Sequence, residues 1–319
     1  MQVRVRSITF EGAGILAFEL VDPAGLTLPP FTAGSHIDVH LPGGMVRQYS
    51  LCNDSRDRHR YMIGVLRVAA GRGGSMAMHE TVRAGDMLTI SEPRNNFGLS
   101  ATAERHLLLA GGIGVTPMMA MVEELSVRKA RFELIYCSRS AGVTAFRDRL
   151  APHSDTGRVR FHHDEGDPAR ALDLNALLAE HEPGTHLYCC GPQGLMNAVK
   201  AATSHWPSGT VHFEFFSAPA APPRKADVVD AASGSFKVRL ASSGQTYLVP
   251  PTQSIVEVLR ANGVECNTSC EAGICGTCRT RYLDGEPEHN DFVLSDEEHA
   301  EFVLICCARS RSALLVLDR

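Results

Sequence analysis

Nowhere does this chain approach the roughly 18 uninterrupted apolar residues that a membrane helix requires, so no spanning segment is expected. The opening Met1-Gln2-Val3-Arg4-Val5-Arg6-Ser7 alternates like a strand and has no apolar signal region, which reads as residence in a reducing cytoplasm. Strong charge imbalance is missing too: 31 Lys and Arg stand against 36 Asp and Glu, for a net charge of -5. That balance excludes nucleic acid as the expected partner. No Cys-x-His pair occurs, and no pair of separated Cys-x2-Cys knuckles, the usual frame of structural zinc. What remains is ordinary globular composition, 44% hydrophobic and 21% charged, over 319 residues, enough for two or three domains.

The cysteines that are present carry the strongest signal. Cys270-Glu271-Ala272-Gly273-Ile274-Cys275-Gly276-Thr277-Cys278 spaces three thiols by four residues and then two, with Cys306 and Cys307 far downstream. This is the plant-type ligand spacing for a [2Fe–2S] cluster, which takes soft thiolate donors. Gly273 and Gly276 can adopt positive φ and turn bare N–H groups toward the sulfides. Disulfides would suit a small oxidised scaffold, which this chain is not. Spacing alone leaves Cys306 and Cys307 both open as the fourth ligand. From Ser233 to Arg319 the chain has 12 acidic and 8 basic residues, so this module holds most of the negative charge, a face able to steer docking to a basic partner.

Residues 1–103 read as short strands separated by Pro-Ala-Gly, Pro-Gly-Gly and Gly-Arg-Gly-Gly breaks, spaced as in a small antiparallel barrel. Within them, Arg47-Gln48-Tyr49-Ser50 offers a phosphate clamp, an aromatic plate and a hydroxyl at one strand end. A surface arginine on a barrel strand is the plainer reading. Gly73-Gly74-Ser75 runs into a short helix, a second phosphate cradle or a simple turn.

From about Glu104 the period changes to strands alternating with helices, as in a parallel doubly wound sheet over 104–218. The apolar strand before Ala110 leads into Gly111-Gly112-Ile113-Gly114-Val115-Thr116-Pro117 and a helix over 118–125. The loop lacks the Gly-x-Gly-x-x-Gly fingerprint, yet strand, glycine loop and helix still present backbone N–H groups to an anion. Pro117 is expected at the first helical position, where proline costs least. Further helices are expected near 145–150, 175–180 and 195–205. Cys190-Gly191-Pro192 follows a strand, where open sheets bind ligands; a buried thiol is the plainer reading of Cys190. After Tyr136-Cys137 comes Ser138-Arg139-Ser140, with no carboxylate to hold a ribose 2′-hydroxyl. Residues 219–232 have the composition of a linker, and 233–319 follow in strand, strand, helix and cysteine-loop order.

Arg47-Gln48-Tyr49-Ser50-Leu51-Cys52-Asn53 resembles the Arg-x-Tyr-Ser flavin motif of the ferredoxin–NADP reductase superfamily, and within it the phthalate dioxygenase reductase and vanillate O-demethylase reductase family. The resemblance extends over nearly the whole chain. It implies an antiparallel β-barrel flavin domain, an α/β doubly wound nucleotide-binding domain and a plant-type ferredoxin domain. It implies Arg47 on the flavin phosphate, Tyr49 along the ribityl chain and ring, and Ser50 near flavin N5. Val65 and Arg67 would border the ring through backbone groups, with Gly73, Gly74 and Ser75 at the phosphate. Gly111, Gly112, Gly114, Thr116 and Pro117 would contact the nucleotide pyrophosphate, and Cys190, Gly191 and Pro192 would lie by the nicotinamide. Phe216 would face the flavin ring, although core packing accounts for it equally. The closing segment Leu304-Ile305-Cys306-Cys307-Ala308-Arg309 implies Cys306 as the fourth cluster ligand and Cys307 as a packing thiol. The family further implies FMN rather than FAD, NADH rather than NADPH, and a separate terminal oxygenase as electron acceptor.

The chemistry of these carriers is coherent. A pyridine nucleotide delivers two electrons as hydride, a [2Fe–2S] cluster accepts one, and a flavin converts between the two. The alternatives are a stand-alone flavin reductase, an electron donor to another oxygenase such as a P450, and an iron–sulfur scaffold without turnover.

Overall fold

The computed structural model describes residues 1–71, 73–216 and 234–319. Arg72 of the glycine-rich loop, the linker expected over 219–232 and the first residue of the expected 233–319 module lie outside the described residues. Two compact units divide the chain, Met1–Phe216 and Ser217–Arg319.

The first unit begins with six antiparallel strands: β1 (Gln2–Gly12), β2 (Ile15–Val21), β3 (His36–Leu41), β4 (Met45–Ser50), β5 (Tyr61–Leu66) and β6 (Met87–Ile90). Their order is β4-β3-β6-β1-β2-β5, and a bridge from Leu51 to Ile63 joins the two edges into a barrel. Alternation explains the pattern. Along β1, Val3 and Val5 are fully buried while Gln2, Arg4 and Arg6 face solvent. Helix α1 (Gly74–Glu80) crosses one end, entered through Gly73 at φ 80°.

A five-stranded parallel sheet follows, ordered β11-β10-β7-β8-β9, from β7 (Arg105–Gly111), β8 (Arg131–Ser138), β9 (Val159–His163), β10 (Thr185–Cys190) and β11 (Val211–Glu214). Its strands read as near-continuous apolar runs because both faces are covered. Helices α2 (Val115–Val127), α3 (Arg147–Ser154), α4 (Leu174–Leu178) and α5 (Gln193–Ala202) connect them. Helix α2 begins earlier than expected, so Pro117 is its third residue rather than its first. The position is still harmless, because the first four N–H groups of a helix have no partner within it. One apolar core runs from the barrel onto one face of this sheet, and a second, containing Trp206, fills the other face.

The second unit pairs β12 (Phe236–Leu240) with β13 (Thr246–Val249), then places α6 (Ile255–Ala261) across them. Ser254 and Glu257 form a reciprocal capping box that fixes where α6 starts. The rest comprises β14 (Arg279–Asp284), β15 (Pro287–Glu288), α7 (Asp296–His299), β16 (Phe302–Leu304), β17 (Arg309–Ser310) and β18 (Leu314–Leu317), with the main sheet ordered β13-β12-β18-β14-β16. No helix among the described residues is long and apolar enough to cross a membrane.

Candidate functional site

The loop between α6 and β14 gathers the thiols. Cys270, Cys275, Cys278 and Cys306 are between 3% and 8% exposed. The Cys270 thiol is within hydrogen-bonding reach of both Cys275 and Cys306. Gly273 and Gly276 both take left-handed φ, near 73° and 72°. Glu271, itself left-handed at φ 50°, turns the Ala272 N–H toward Cys270 Sγ (3.4 Å), and Gly276 turns the Thr277 N–H toward Cys275 Sγ (3.5 Å), the donors an electron-rich sulfur centre needs. A Cβ on Gly273 would lie 2.8 Å from Cys307 Sγ, so Cys307 packs against the back of the loop. Its neighbour Cys306 reaches the Cys270–Cys275 pair. The all-thiol donor set fits an iron–sulfur cluster held by Cys270, Cys275, Cys278 and Cys306. Behind the loop, the Phe292 N–H donates to Gly273 O at 2.9 Å. Asp291 fixes that segment by accepting from the Leu294 N–H and from His299 Nε2, whose ring stacks on His289 at 4.0 Å.

In the first unit, Arg47 projects from β4 across the first turn of α1. A Cβ on Gly74 would fall 2.4 Å from Arg47 Cγ and 2.5 Å from Nε, so only glycine lets the arginine lie there. The arginine stem and Nε thus lie against Gly74 at the start of α1, with Nη1 donating to Val46 O at 2.8 Å, and a cation beside the glycine-rich loop fits a flavin phosphate. Ser75 Oγ accepts the Val68 N–H at 3.1 Å and closes the loop. Burial pushes the Tyr49 hydroxyl up to about 12, so it stays protonated. The Val65 carbonyl contacts His79 Nε2 at 2.9 Å and the Arg67 N–H donates to Gly14 O at 2.8 Å, so these two backbone groups already serve the barrel.

Ser50 leads to two residues that sequence reasoning missed. It pairs across β3–β4 with His36, whose Nδ1 is 4.0 Å from Glu214 Oε1; Glu214 in turn pairs across β10–β11 with Cys190. Barrel and parallel sheet therefore meet along Ser50, His36, Glu214 and Cys190. Ser50 Oγ, both His36 nitrogens and Glu214 Oε2 are buried without a hydrogen-bond partner. Orphans of this kind are costly unless a bound group satisfies them, and a flavin edge with its polar ring atoms is such a group. Burial lifts the Glu214 carboxyl to about 8, while burial and then Arg94 lower His36 to about 4. Both are neutral near pH 7, so their contact is no ion pair. Burial, with Glu214 adding to it, raises the Cys190 thiol well above its usual range, which makes it an apolar wall rather than a nucleophile. Phe216, two residues past the end of β11, is 44% exposed. The only sequence signal for Glu214 was a carboxylate inside Phe213-Glu214-Phe215-Phe216.

The two loops expected to hold the nucleotide touch through their backbones. A Cβ on Gly114 would sit 2.2 Å from the Cys190 carbonyl oxygen, and one on Gly191 3.0 Å from Gly111 Cα. Thr116 donates its hydroxyl to Ile113 O at 3.0 Å and, with Pro117, is buried beneath the loop. Above lies a cavity of about 700 Å³, walled at one end by Gly111, Gly112 and Pro192 and at the other by Ser138, Arg139 and Asp164. Its size suits a dinucleotide portion, and it opens at the carboxyl ends of β7 and β10, where the strand order reverses.

Residues 238–311 match the 2Fe-2S iron-sulfur cluster binding domain family, and residues 90–207 match the family of the N-terminal domain of dimethylamine monooxygenase subunit DmmA-like proteins. The chain is 48% identical to the tert-butanol monooxygenase / tert-amyl alcohol desaturase reductase subunit of Aquincola tertiaricarbonis, over 100% of its own length and 96% of the relative's. It is 46% identical to the vanillate O-demethylase oxidoreductase of Pseudomonas sp. (strain HR199 / DSM 7063), over 100% and 99%. The solved phthalate dioxygenase reductase superposes with a TM-score of 0.74 at 43% identity, covering 100% of this chain and 98% of that one. A type IV self-sufficient cytochrome P450 monooxygenase contains a similar region, with a TM-score of 0.88 at 38% identity, covering 100% of this chain and 41% of that one.

Proposed function

The chain belongs to the phthalate dioxygenase reductase and vanillate O-demethylase reductase family, and from that premise we propose that it is the reductase component of a Rieske-type oxygenase system. It takes hydride from NADH onto FMN and passes single electrons through a [2Fe–2S] cluster to a separate terminal oxygenase. The observation that carries this reading is the line Ser50–His36–Glu214–Cys190, where buried polar groups without partners join the flavin-side barrel to the nucleotide-side sheet.

When bound, the flavin supplies two-electron acceptance and one-electron release, and the cluster one-electron carriage. The protein's own residues position these groups. Arg47 with the Gly74 and Ser75 N–H groups holds the flavin phosphate, and Tyr49 lines the ribityl side. Ser50 Oγ, buried without a partner, would donate to the ring edge, and Phe216 would face the ring. The glycine loop from Gly111 to Gly114 binds pyrophosphate through backbone N–H groups, while Cys190 keeps the nicotinamide side dry. Neutral Glu214 and neutral His36 are the groups able to hold a proton beside Ser50. Cys270, Cys275, Cys278 and Cys306 hold the cluster. FMN rests on the family resemblance of the Gly-rich loop and of a ferredoxin module that follows the reductase, and NADH on the preference of the reductases that the chain resembles.

Cys278→Ser tests the order of carriers. Dye reduction by NADH should persist in this variant while oxygenase-coupled turnover disappears. Undiminished oxygenase turnover would sink the proposal in favour of a flavin reductase that serves acceptors directly.

A further inference from the structure

On the segment that runs from β15 into α7, behind the cysteine loop, three side chains converge that electron transfer does not use. Asp291 is the centre. Its side chain is 2% exposed, and Oδ2 accepts the Val293 N–H at 3.3 Å and the Leu294 N–H at 2.9 Å, which fixes the carboxylate. Oδ1 is left facing two histidines, with His299 Nε2 at 3.0 Å and His289 Nδ1 at 3.9 Å. A capping box between Ser295 and Glu298 fixes α7, whose last residue is His299. His289 Nδ1 is buried without a hydrogen-bond partner, an arrangement that costs free energy until something satisfies the nitrogen. One donor atom from each of the three residues lies within 4.8 Å of the other two.

We propose that His289, Asp291 and His299 form a zinc-binding site, separate from the four thiols and placed to brace the loop that carries them. Two imidazole nitrogens and a carboxylate oxygen are donors that suit zinc, and the fourth position is left to water. With bonds of about 2.0–2.1 Å, tetrahedral donors stand roughly 3.3 Å apart. The separations of 3.0 and 3.9 Å straddle that value, so small side-chain rotations close the site. The histidine side chains are 19% and 26% exposed, which gives the ion its way in. What the cation fastens is the backing of the cysteine loop. The Phe292 N–H donates to Gly273 O at 2.9 Å, and Asn290 Nδ2 donates to Cys307 O at 3.2 Å. Tying residues 289, 291 and 299 to one ion therefore restrains both the turn between Cys270 and Cys275 and the segment that carries Cys306.

The test is calorimetric titration of zinc ions into the iron- and flavin-loaded full chain and into its His289→Phe and His299→Gln variants. Phenylalanine keeps a ring to stack on His299, and glutamine keeps an N–H to donate to Asp291, so both variants should show wild-type visible spectra. The wild-type chain should bind one zinc ion with its iron content unchanged, and each variant should bind it at least tenfold more weakly. Zinc should also slow the loss of iron–sulfur absorbance on mild heating in the wild type and in neither variant. X-ray absorption at the zinc edge needs no variant and should show nitrogen and oxygen donors at about 2.0–2.1 Å. Sulfur donors at about 2.3 Å, or iron released as zinc enters, would place the ion on the thiols and overturn the site. Equal affinity in all three proteins, or no binding to the wild type, overturns it as well. Binding that the variants lose, with no slowing of cluster loss in the wild type, upholds the site and overturns the bracing.

Discussion

Replacing Glu214 with glutamine keeps the side chain's shape and removes its ability to ionise. Burial holds the wild-type carboxyl at about 8, against 4.5 for an ordinary glutamate. The folded chain therefore retains a proton that the unfolded chain surrenders. Stability from this residue is complete below pH 4.5, where both states are protonated, and is lost as pH rises through about 8, where the folded carboxyl ionises. At about 1.4 kcal/mol per pH unit, the interval bounds the loss at about 5 kcal/mol. The side chain is 14% exposed, and partial solvation brings the expected effect to the order of 2–3 kcal/mol. Urea unfolding can be followed through Trp206, the single tryptophan, which is 8% exposed inside the Met1–Phe216 unit. At pH 5 the two proteins should unfold at nearly the same midpoint. At pH 8 Glu214→Gln should be the more stable, by about 2–3 kcal/mol. Parallel profiles across pH 5 to 8 would mean that the carboxyl is ionised in the folded protein, and the neutral Ser50–His36–Glu214 line would have to be abandoned.

Cys306→Ser should cost the chain its iron while Cys307→Ser retains it, as read by iron content and visible absorbance; the opposite pattern would exchange the two roles. Gly114→Ala drives a methyl into the Cys190 carbonyl at 2.2 Å, so it should destabilise by roughly 1–3 kcal/mol and slow reduction by NADH more than tenfold. Stopped-flow flavin reduction and thermal unfolding measure the two effects, and a wild-type rate would show that the two loops do not need this contact. With 12 acidic and 8 basic residues from Ser233 to Arg319, electron delivery to the oxygenase should slow as salt rises from 20 to 300 mM. A rate independent of salt would remove charge steering from the account.

The cluster ligands were legible because three of them fall within nine residues, and no long-range pairing is needed to bring those together. Strands with clean alternation or turn boundaries were equally readable: the apolar or alternating runs at 36–41, 61–66, 236–240 and 246–249 read as strands and 255–261 as a helix, and β3, β5, β12, β13 and α6 span those residues. Four-residue β6 carried too little pattern to notice. The expected helix at 145–150 lies at Arg147–Ser154, displaced because Phe146 takes a left-handed φ of 58° before it. His36 and Glu214 were illegible for a different reason. Sheet register delivers His36 to Ser50, 14 positions away, and Glu214 to Cys190, 24 positions away, and no local motif encodes those meetings. Glu214 alone left a trace, a carboxylate in an aromatic strand.

The claim on which the rest depends is that one polypeptide couples a two-electron donor to one-electron carriers. Anaerobic titration of the purified, iron- and flavin-loaded chain with NADH tests it most directly. The account predicts bleaching of the flavin together with the iron–sulfur absorbance, at a stoichiometry of three electrons per chain. Bleaching of neither chromophore, or of the flavin alone with the cluster left oxidised, would contradict it.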